Sequence, residues 1–275
     1  MTFRLTLAAL ACAAAVAAIW FAADWLSEWQ EARATDTHVQ EIVAMLDLKA
    51  MPDFHQRLDK IRVFINDHSE HKIDEEFYAN RRNPAAFAAG VLAHAKGLSP
   101  DPIKMECSTR TRLMAPILGA LGYETRIVAI FDSHTNFRSH SFLEVLNPET
   151  GQWETQDADF DIYWRNKDSG ERVSLAERAE AIDAIEPCGR NVCGWDYASR
   201  EGIRADKLKA YLDIISVTDR EKGLRYALYT SRTDLDRVYR KDGETGSFCE
   251  VEEKRCKDGF QDIRNYSPYQ AGLPR

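Results

Sequence analysis

Three residues in the middle of the chain can together form a thiol-dependent catalytic site. Cys107 is a nucleophile, His140 is a base that can deprotonate it, and Asp157 is a carboxylate that can orient the base. A free thiol has a pKa of roughly 8.5, so it needs a nearby imidazolium or a helix N-terminus to be held as the thiolate. The order Cys, His, Asp is therefore typical of a nucleophile, a base and an orienting acid that act on an acyl group.

The elements around these residues are predicted to bring them together. Apolar residues at helical spacing follow Cys107 and end at Gly122, which predicts a helix with the thiol in its first turn and a glycine cap. Unpaired backbone N–H groups in a first turn favour negative charge. His140 begins an alternating strand pattern, and a turn rich in Asn, Pro and Gly separates it from a strand at 152–155. The two strands are predicted to form a hairpin that places Asp157 beside His140.

The same stretch carries a set of motifs that occur together in one family. Cys107 begins a helix that ends in Leu121-Gly122, Arg126 lies on the next predicted strand, and His140 leads the strand after that. These motifs are completed by Trp153-x-x-x-Asp157. The combination resembles the transglutaminase-like cysteine superfamily.

The resemblance implies an α+β fold with a papain-like core, in which a helix bearing the cysteine packs on an antiparallel sheet bearing the histidine and the aspartate. It also implies that Cys107, His140 and Asp157 are the catalytic residues, acting on an amide or peptide carbonyl through an acyl-enzyme. Two positions depart from the family pattern. Glu106 stands where a glycine often precedes the cysteine, and Ala158 stands where a proline often follows the aspartate.

Other residues compete for two of the three roles. His134 is an alternative base, but it lies in a polar predicted loop, whereas His140 begins a strand. Asp159 and Asp161 are alternatives to Asp157, and Asp159 has the same strand parity. The acidic run also allows a calcium site, although it lacks the ligand spacing and the closing glutamate of a calcium loop. The simpler interpretation is one orienting aspartate with solvated neighbours.

Residues 1–26 are predicted to be a targeting segment. Arg4 supplies positive charge, and residues 5–23 are uncharged and close to the ~20 residues that a membrane span requires. A retained signal anchor in the inner membrane, inserted through residues 5–26, is therefore predicted. A cleaved signal peptide is the alternative, and a lipoprotein site at Cys12 is less favoured. The positive-inside rule places the rest of this single-pass chain in the periplasm.

The remaining chain divides into three predicted parts. Residues 27–50 form a helical linker, residues 51–165 hold the transglutaminase-like core, and residues 166–275 form a C-terminal extension. Within these parts helices are predicted at 53–66, 83–95, 174–185 and 206–215, and a further strand at 224–230.

The C-terminal extension contains two pairs of cysteines close in sequence, Cys188 with Cys193 and Cys249 with Cys256. In an oxidising compartment each pair can close a local disulfide and leave Cys107 as the free thiol. A four-cysteine zinc site is the alternative, but the second pair is spaced more widely than the usual two to about four intervening residues. No metal or cofactor is therefore predicted.

Charge and histidine placement limit the classes of partner. The chain has 275 residues, a net charge of −8 and no basic block, which argues against nucleic acid. His55, His68 and His71 lie in polar sequence and are interpreted as solvated surface residues rather than metal ligands.

The sequence thus predicts a membrane-anchored periplasmic thiol enzyme that hydrolyses amide or peptide bonds in a peptide or protein substrate. Two alternatives remain open. One is a transglutaminase that cross-links proteins, and the other is a non-catalytic envelope binding or scaffold protein on the same fold.

Overall fold

The structure is a computed structural model that describes residues 26, 30–81, 83–131, 139–174, 184–190, 192–194, 225–230 and 233–240. Within this part of the chain, no helix combines the length and the apolar composition that a membrane span requires. Apart from residue 26, the predicted anchor at 1–26 lies outside the described residues.

Five α-helices occur among the described residues, and they precede or carry the candidate nucleophile. Their bounds are 30–45 for α1, Phe54–Asp67 for α2, Glu75–Asn80 for α3, Pro84–Ala95 for α4 and Cys107–Ala120 for α5. The Asp53 side chain caps α2 by accepting from the Gln56 N–H at 2.6 Å, and Asn83 caps α4 in the same way. The helices predicted at 53–66 and 83–95 are therefore confirmed.

The helix of the candidate nucleophile begins and ends as predicted. Cys107 is its first residue, and Gly122 follows its C-cap with a φ of 84°, the left-handed conformation that glycine adopts most readily. Pro116 lies inside this helix without ending it.

Two small strands lie between the helices, and the others form one large sheet. Strands β1 (Ser69–His71) and β2 (Ile103–Met105) pair in parallel. The strands of the large sheet are β3 (Thr125–Phe131), β4 (Ser139–Leu146), β5 (Trp153–Asp157), β6 (Ile162–Asn166), β7 (Ile185–Gly189), β8 (Val192–Cys193), β9 (Arg225–Thr230) and β10 (Thr233–Arg240). Their spatial order is β10-β9-β3-β4-β5-β6-β7-β8, and every neighbouring pair is antiparallel. The fold is α+β with an antiparallel sheet, as predicted.

The described strands of residues 166–275 continue this sheet. Strand β9 pairs with β3 and confirms the strand predicted at 224–230, while β7 pairs with β6. The prediction of a helix over 174–185 is wrong at its C-terminal end, because Ile185 is buried and pairs with Asn166 as the first residue of β7. Residues 175–183 and the helix predicted at 206–215 lie outside the described residues.

The hydrophobic core lies between the helices and the centre of the sheet. Fully burying an aliphatic side chain contributes about 1.5–3 kcal/mol, so this layer dominates the stability of the fold. It contains Leu58, Ile61 and Ile65 of α2, Met114, Ile117 and Leu118 of α5, and Leu143 and Val145 of β4. Because α5 packs on β3 and β4, the candidate nucleophile helix lies against the strand that carries His140.

Candidate active site

Cys107 occupies the first position of α5 and is a partly exposed free thiol. The residue before it, Glu106, has extended backbone angles, and its N–H donates to Oγ1 of Thr109 at 2.9 Å. This local hydrogen bond defines the helix start. The first N–H groups of a helix have no acceptor within the helix, and a residue at the first helical position lies next to them.

His140 and Asp157 form a buried hydrogen-bonded pair. Nε2 of His140 lies 2.6 Å from Oδ2 of Asp157, and both residues are almost fully buried. The β4–β5 register pairs Leu143 with Gln156, and its continuation places Asp157 opposite Phe142. Since alternate residues of a strand share a face, His140 lies on the same face as Phe142, diagonally from the aspartate. The hairpin therefore delivers the carboxylate to the imidazole, as the pattern predicts.

The backbone that follows β5 holds the Asp157 carboxylate in place. Oδ1 accepts the N–H groups of Asp159 at 2.9 Å and Phe160 at 3.2 Å. The Phe160 ring also packs against the imidazole of His140, with 4.8 Å between the ring centroids. One carboxylate oxygen is thus fixed by the backbone, and the other is directed to the histidine.

The electrostatic surroundings favour a charged imidazole next to the thiol. Burial opposes the charged form, but the Asp157 carboxylate and the Cys107 side chain outweigh it and raise the pKa of His140 well above its usual 6.5. The Cys107 side chain is one of the two groups whose interaction with this imidazole favours its charged form. Because Nε2 is bonded to Asp157, Nδ1 is the ring nitrogen that can exchange a proton with a thiol or a substrate. The alternative base, His134, lies outside the described residues.

The alternative aspartates have other partners. Oδ1 of Asp159 accepts from Nη1 of Arg110 at 3.0 Å and lies 2.6 Å from Nδ1 of His71. Oδ1 of Asp161 accepts from Nε of Arg62 at 3.0 Å. Both carboxylates are buried, so the interpretation of these neighbours as solvated is wrong. Their burial is possible because buried guanidinium groups compensate their charge.

The three histidines interpreted as solvated surface residues are partly exposed, and each of them also contacts another side chain. Nε2 of His55 lies 2.9 Å from Oε2 of Glu154, and the Nδ1 atoms of His68 and His94 lie 2.9 Å apart. The third, His71, bonds the aspartate described above. These contacts join α2 to the sheet and to α4.

The first predicted cysteine pair is closed. Cys188 and Cys193 form a disulfide across the β7–β8 hairpin, which confirms that prediction. Together with Glu186, they form the one group of three or more possible metal-ligating side chains found close together among the described residues. Their sulfur atoms are bonded to each other rather than available as thiolate ligands. The second predicted pair, Cys249 with Cys256, lies outside the described residues.

Two other residues that carry the family resemblance contact each other in the sheet. Nε of Arg126 donates to Oε2 of Glu144 at 2.6 Å, and its guanidinium lies 4.1 Å from the ring centroid of Trp153. These contacts join β3, β4 and β5. Their role is to hold together the strands that carry the candidate base and its orienting aspartate.

Two buried arginines beside the site were not identified from the sequence. The side chains of Arg62 and Arg110 are completely buried. Arg110 stands three residues after Cys107 on α5. The sequence does carry a signal for Arg110, because it is a charged residue one turn from the candidate nucleophile on a helix face that is otherwise apolar.

Comparisons of the chain with models of protein families, with curated proteins and with solved structures give no match. What the site can do is therefore inferred from its own residues and their geometry.

Proposed function

We propose that this protein is a thiol enzyme of the transglutaminase-like superfamily, with a papain-like core, that hydrolyses amide or peptide bonds through an acyl-enzyme. The observation that carries the proposal is the 2.6 Å hydrogen bond between His140 and Asp157, beside a partly exposed Cys107 at a helix N-terminus. A thiol that only packs in a protein interior needs no buried imidazole–carboxylate pair beside it. The arrangement matches instead what a thiolate nucleophile requires.

In the first half of the proposed reaction, the Cys107 thiolate attacks the carbonyl carbon of the substrate and forms a C–S bond. The carbonyl electron pair moves to oxygen, and the N–H of Cys107 at the start of α5 is the first candidate to stabilise the oxyanion. The tetrahedral intermediate then collapses and the C–N bond breaks. His140 gives the proton on Nδ1 to the departing amine, and an acyl-enzyme remains.

In the second half, neutral His140 accepts a proton from water as the water oxygen attacks the acyl carbon. The C–S bond breaks, the acid product leaves, and the thiolate–imidazolium pair is restored. Asp157 keeps Nε2 as the hydrogen-bond donor in both halves, so that Nδ1 is the nitrogen that exchanges protons. The carboxylate therefore sets both the orientation and the charge of the imidazole.

We also propose that residues 5–26 anchor the protein in the inner membrane and that the catalytic part acts on peptides or proteins in the periplasm. The disulfide between Cys188 and Cys193 supports this placement, because structural disulfides persist in oxidising compartments such as the periplasm. An unpaired thiol maintained in such a compartment is consistent with a chemical role for Cys107.

The proposal is tested with an activated ester, because the natural substrate need not be known. Full-length protein is mixed with p-nitrophenyl acetate, and released nitrophenolate is followed while peptide mass spectrometry locates the acetyl group. We expect a burst of nitrophenolate and a transient acetyl adduct on Cys107. The variant His140→Gln should slow the burst by about 10²–10⁴-fold, the usual contribution of a general base.

His55→Gln is the matched control, because His55 is also hydrogen-bonded to a buried carboxylate but lies outside the candidate site. It should leave the burst unchanged. An adduct located on another residue, or an equal burst in His140→Gln and the wild type, would contradict the proposed function. Far-UV circular dichroism shows whether each variant is folded.

A further inference from the structure

A second buried carboxylate connects the nucleophile helix to the turn that follows β5. Nη1 of Arg110 donates to both the carbonyl oxygen and Oδ1 of Asp159, each at 3.0 Å. Arg110 lies one turn after Cys107 on α5, and Asp159 lies two residues after Asp157. The side chains of Arg110 and Asp159 are 0% and 4% exposed, so this contact is shielded from water.

The residue that Arg110 holds is also the residue that orients the catalytic aspartate. The N–H of Asp159 donates to Oδ1 of Asp157 at 2.9 Å, and this bond turns Oδ2 toward Nε2 of His140. A continuous series of contacts therefore runs from the nucleophile helix, through one guanidinium and one turn, to the candidate base. A shift of this turn would change the position of Asp157 and of the imidazole relative to the sulfur.

Other elements hold the same turn at the same point. Nη2 of Arg110 donates to the carbonyl oxygen of Ser69 at 2.7 Å, and Nδ1 of His71 lies 2.6 Å from Oδ1 of Asp159. Nδ2 of Asn66 donates to the Asp159 carbonyl oxygen at 3.0 Å. Burial opposes ionisation of Asp159, but His71 and Arg110 outweigh it and lower the pKa of this carboxyl well below its usual range. The carboxylate is thus kept charged inside the protein.

We propose that Arg110 and Asp159 are positioning residues for the candidate active site, and that their ion pair sets the placement of His140–Asp157 relative to Cys107. This inference rests on the proposed function. A buried ion pair adds little net stability compared with apolar packing, because desolvation offsets the attraction. A geometric role accounts for a buried guanidinium here, since its planar fork reaches Asp159 and the Ser69 carbonyl at once, whereas a lysine ammonium lacks that geometry.

The test measures how fast iodoacetamide alkylates Cys107 in the full-length protein as a function of pH, with peptide mass spectrometry as the readout. Asp159→Asn removes the charge and keeps the shape. We expect its alkylation rate to fall about tenfold at about pH 6, where a free thiol is almost wholly protonated. A displacement of about 1 Å costs up to about 10²-fold, which sets the upper bound of the effect. Thermal unfolding is measured on the same samples.

Asp161→Asn is the matched control. Asp161 lies in the same turn, is also buried and is paired with a different buried arginine, Arg62. A purely structural role predicts a lowered unfolding temperature for both variants and one shared pH profile. A positioning role predicts that only Asp159→Asn changes the profile.

Arg110→Lys is a second, milder variant that keeps the positive charge and loses the planar guanidinium. It tests the positioning role if Asp159→Asn does not fold. A profile of Arg110→Lys or folded Asp159→Asn that superimposes on the wild type would overturn the positioning role. The proposed function fails separately, and detectably, if the alkylation profile of Asp157→Asn is the same as that of the wild type.

Discussion

Replacing Asp157 by asparagine removes one charge from a buried hydrogen-bonded pair while the size of the side chain stays almost constant. Oδ1 of Asp157 accepts the N–H groups of Asp159 and Phe160, so the asparagine carbonyl oxygen takes this place. The amide NH₂ then faces Nε2 of His140, which must become an acceptor. The imidazole proton therefore moves to Nδ1. A neutral His140 needs a lone pair on this nitrogen to accept a proton, so the variant holds the wrong tautomer.

The magnitude follows from the loss of the correct tautomer. In serine triads the corresponding change lowers turnover about 10⁴-fold. A loss of that size equals about 5.4 kcal/mol of transition-state stabilisation, at about 1.36 kcal/mol for each factor of ten. The pKa of His140 also falls in this variant, because the carboxylate that raises it is gone and burial, which lowers it, remains. The imidazolium that supports the thiolate is therefore less populated near neutral pH.

Turnover of p-nitrophenyl acetate and alkylation of Cys107 across pH both measure this effect. Glu154→Gln is the matched control, because Glu154 is a buried carboxylate on the same strand that is hydrogen-bonded to another histidine, His55. It should affect stability but leave turnover within about threefold of the wild type, since it does not touch the nucleophile or its base. Wild-type turnover and an unchanged alkylation profile in Asp157→Asn would refute the assigned role of the carboxylate.

Three further predictions concern stability. The folded-state pKa of Asp159 is lowered, so its contribution to the unfolding free energy is present above the unfolded value of 3.8 and is lost as the pH falls. The folded-state pKa of His140 is raised, so its contribution is present below 6.5 and is lost as the pH rises. Urea titrations should therefore show the largest unfolding free energy between about pH 4 and about pH 6.5, and Asp159→Asn should weaken the acid-side decline. Gly90→Ala should destabilise the protein by about 1–3 kcal/mol in the same assay, because the new Cβ would lie 2.8 Å from Cβ of Ile103. Gly119→Ala, in another helix with no atom within 4 Å of a new Cβ, should instead stabilise the protein by about 0.4–1 kcal/mol. If Gly119→Ala lowered the unfolding free energy as much as Gly90→Ala, the steric explanation would be contradicted.

The local elements could be predicted because their signals are short in sequence. Asp53 and Asn83 each cap the helix that follows, and each cap depends on a residue only three positions away. Gly122 ends the nucleophile helix because its left-handed conformation suits glycine. The β4–β5 hairpin follows from alternating residues on either side of a turn. These features determine that Cys107 begins a helix and that His140 and Asp157 lie on neighbouring strands.

Long-range strand pairing was beyond the reach of such signals. The strand at 224–230 was predicted, but not its position beside β3, nor the strand β10 that pairs with it. Local periodicity states that a segment is extended and which of its faces is apolar. It does not state which distant strand supplies the hydrogen-bond partners, because that depends on how the whole sheet packs against the helices.

The candidate residues, their order and the elements that carry them can be identified from the sequence. The three-dimensional packing shows that Asp157, rather than Asp159, bonds His140, and that Asp159 is held by Arg110 instead. The two aspartates are alike in type and strand parity, so strand periodicity does not separate them, and only the family resemblance favours Asp157. Their partners separate them. Each charge removed from water must meet an opposite charge or a hydrogen-bond donor. Those partners lie on elements that are distant in sequence and become neighbours only when α5 packs on the sheet.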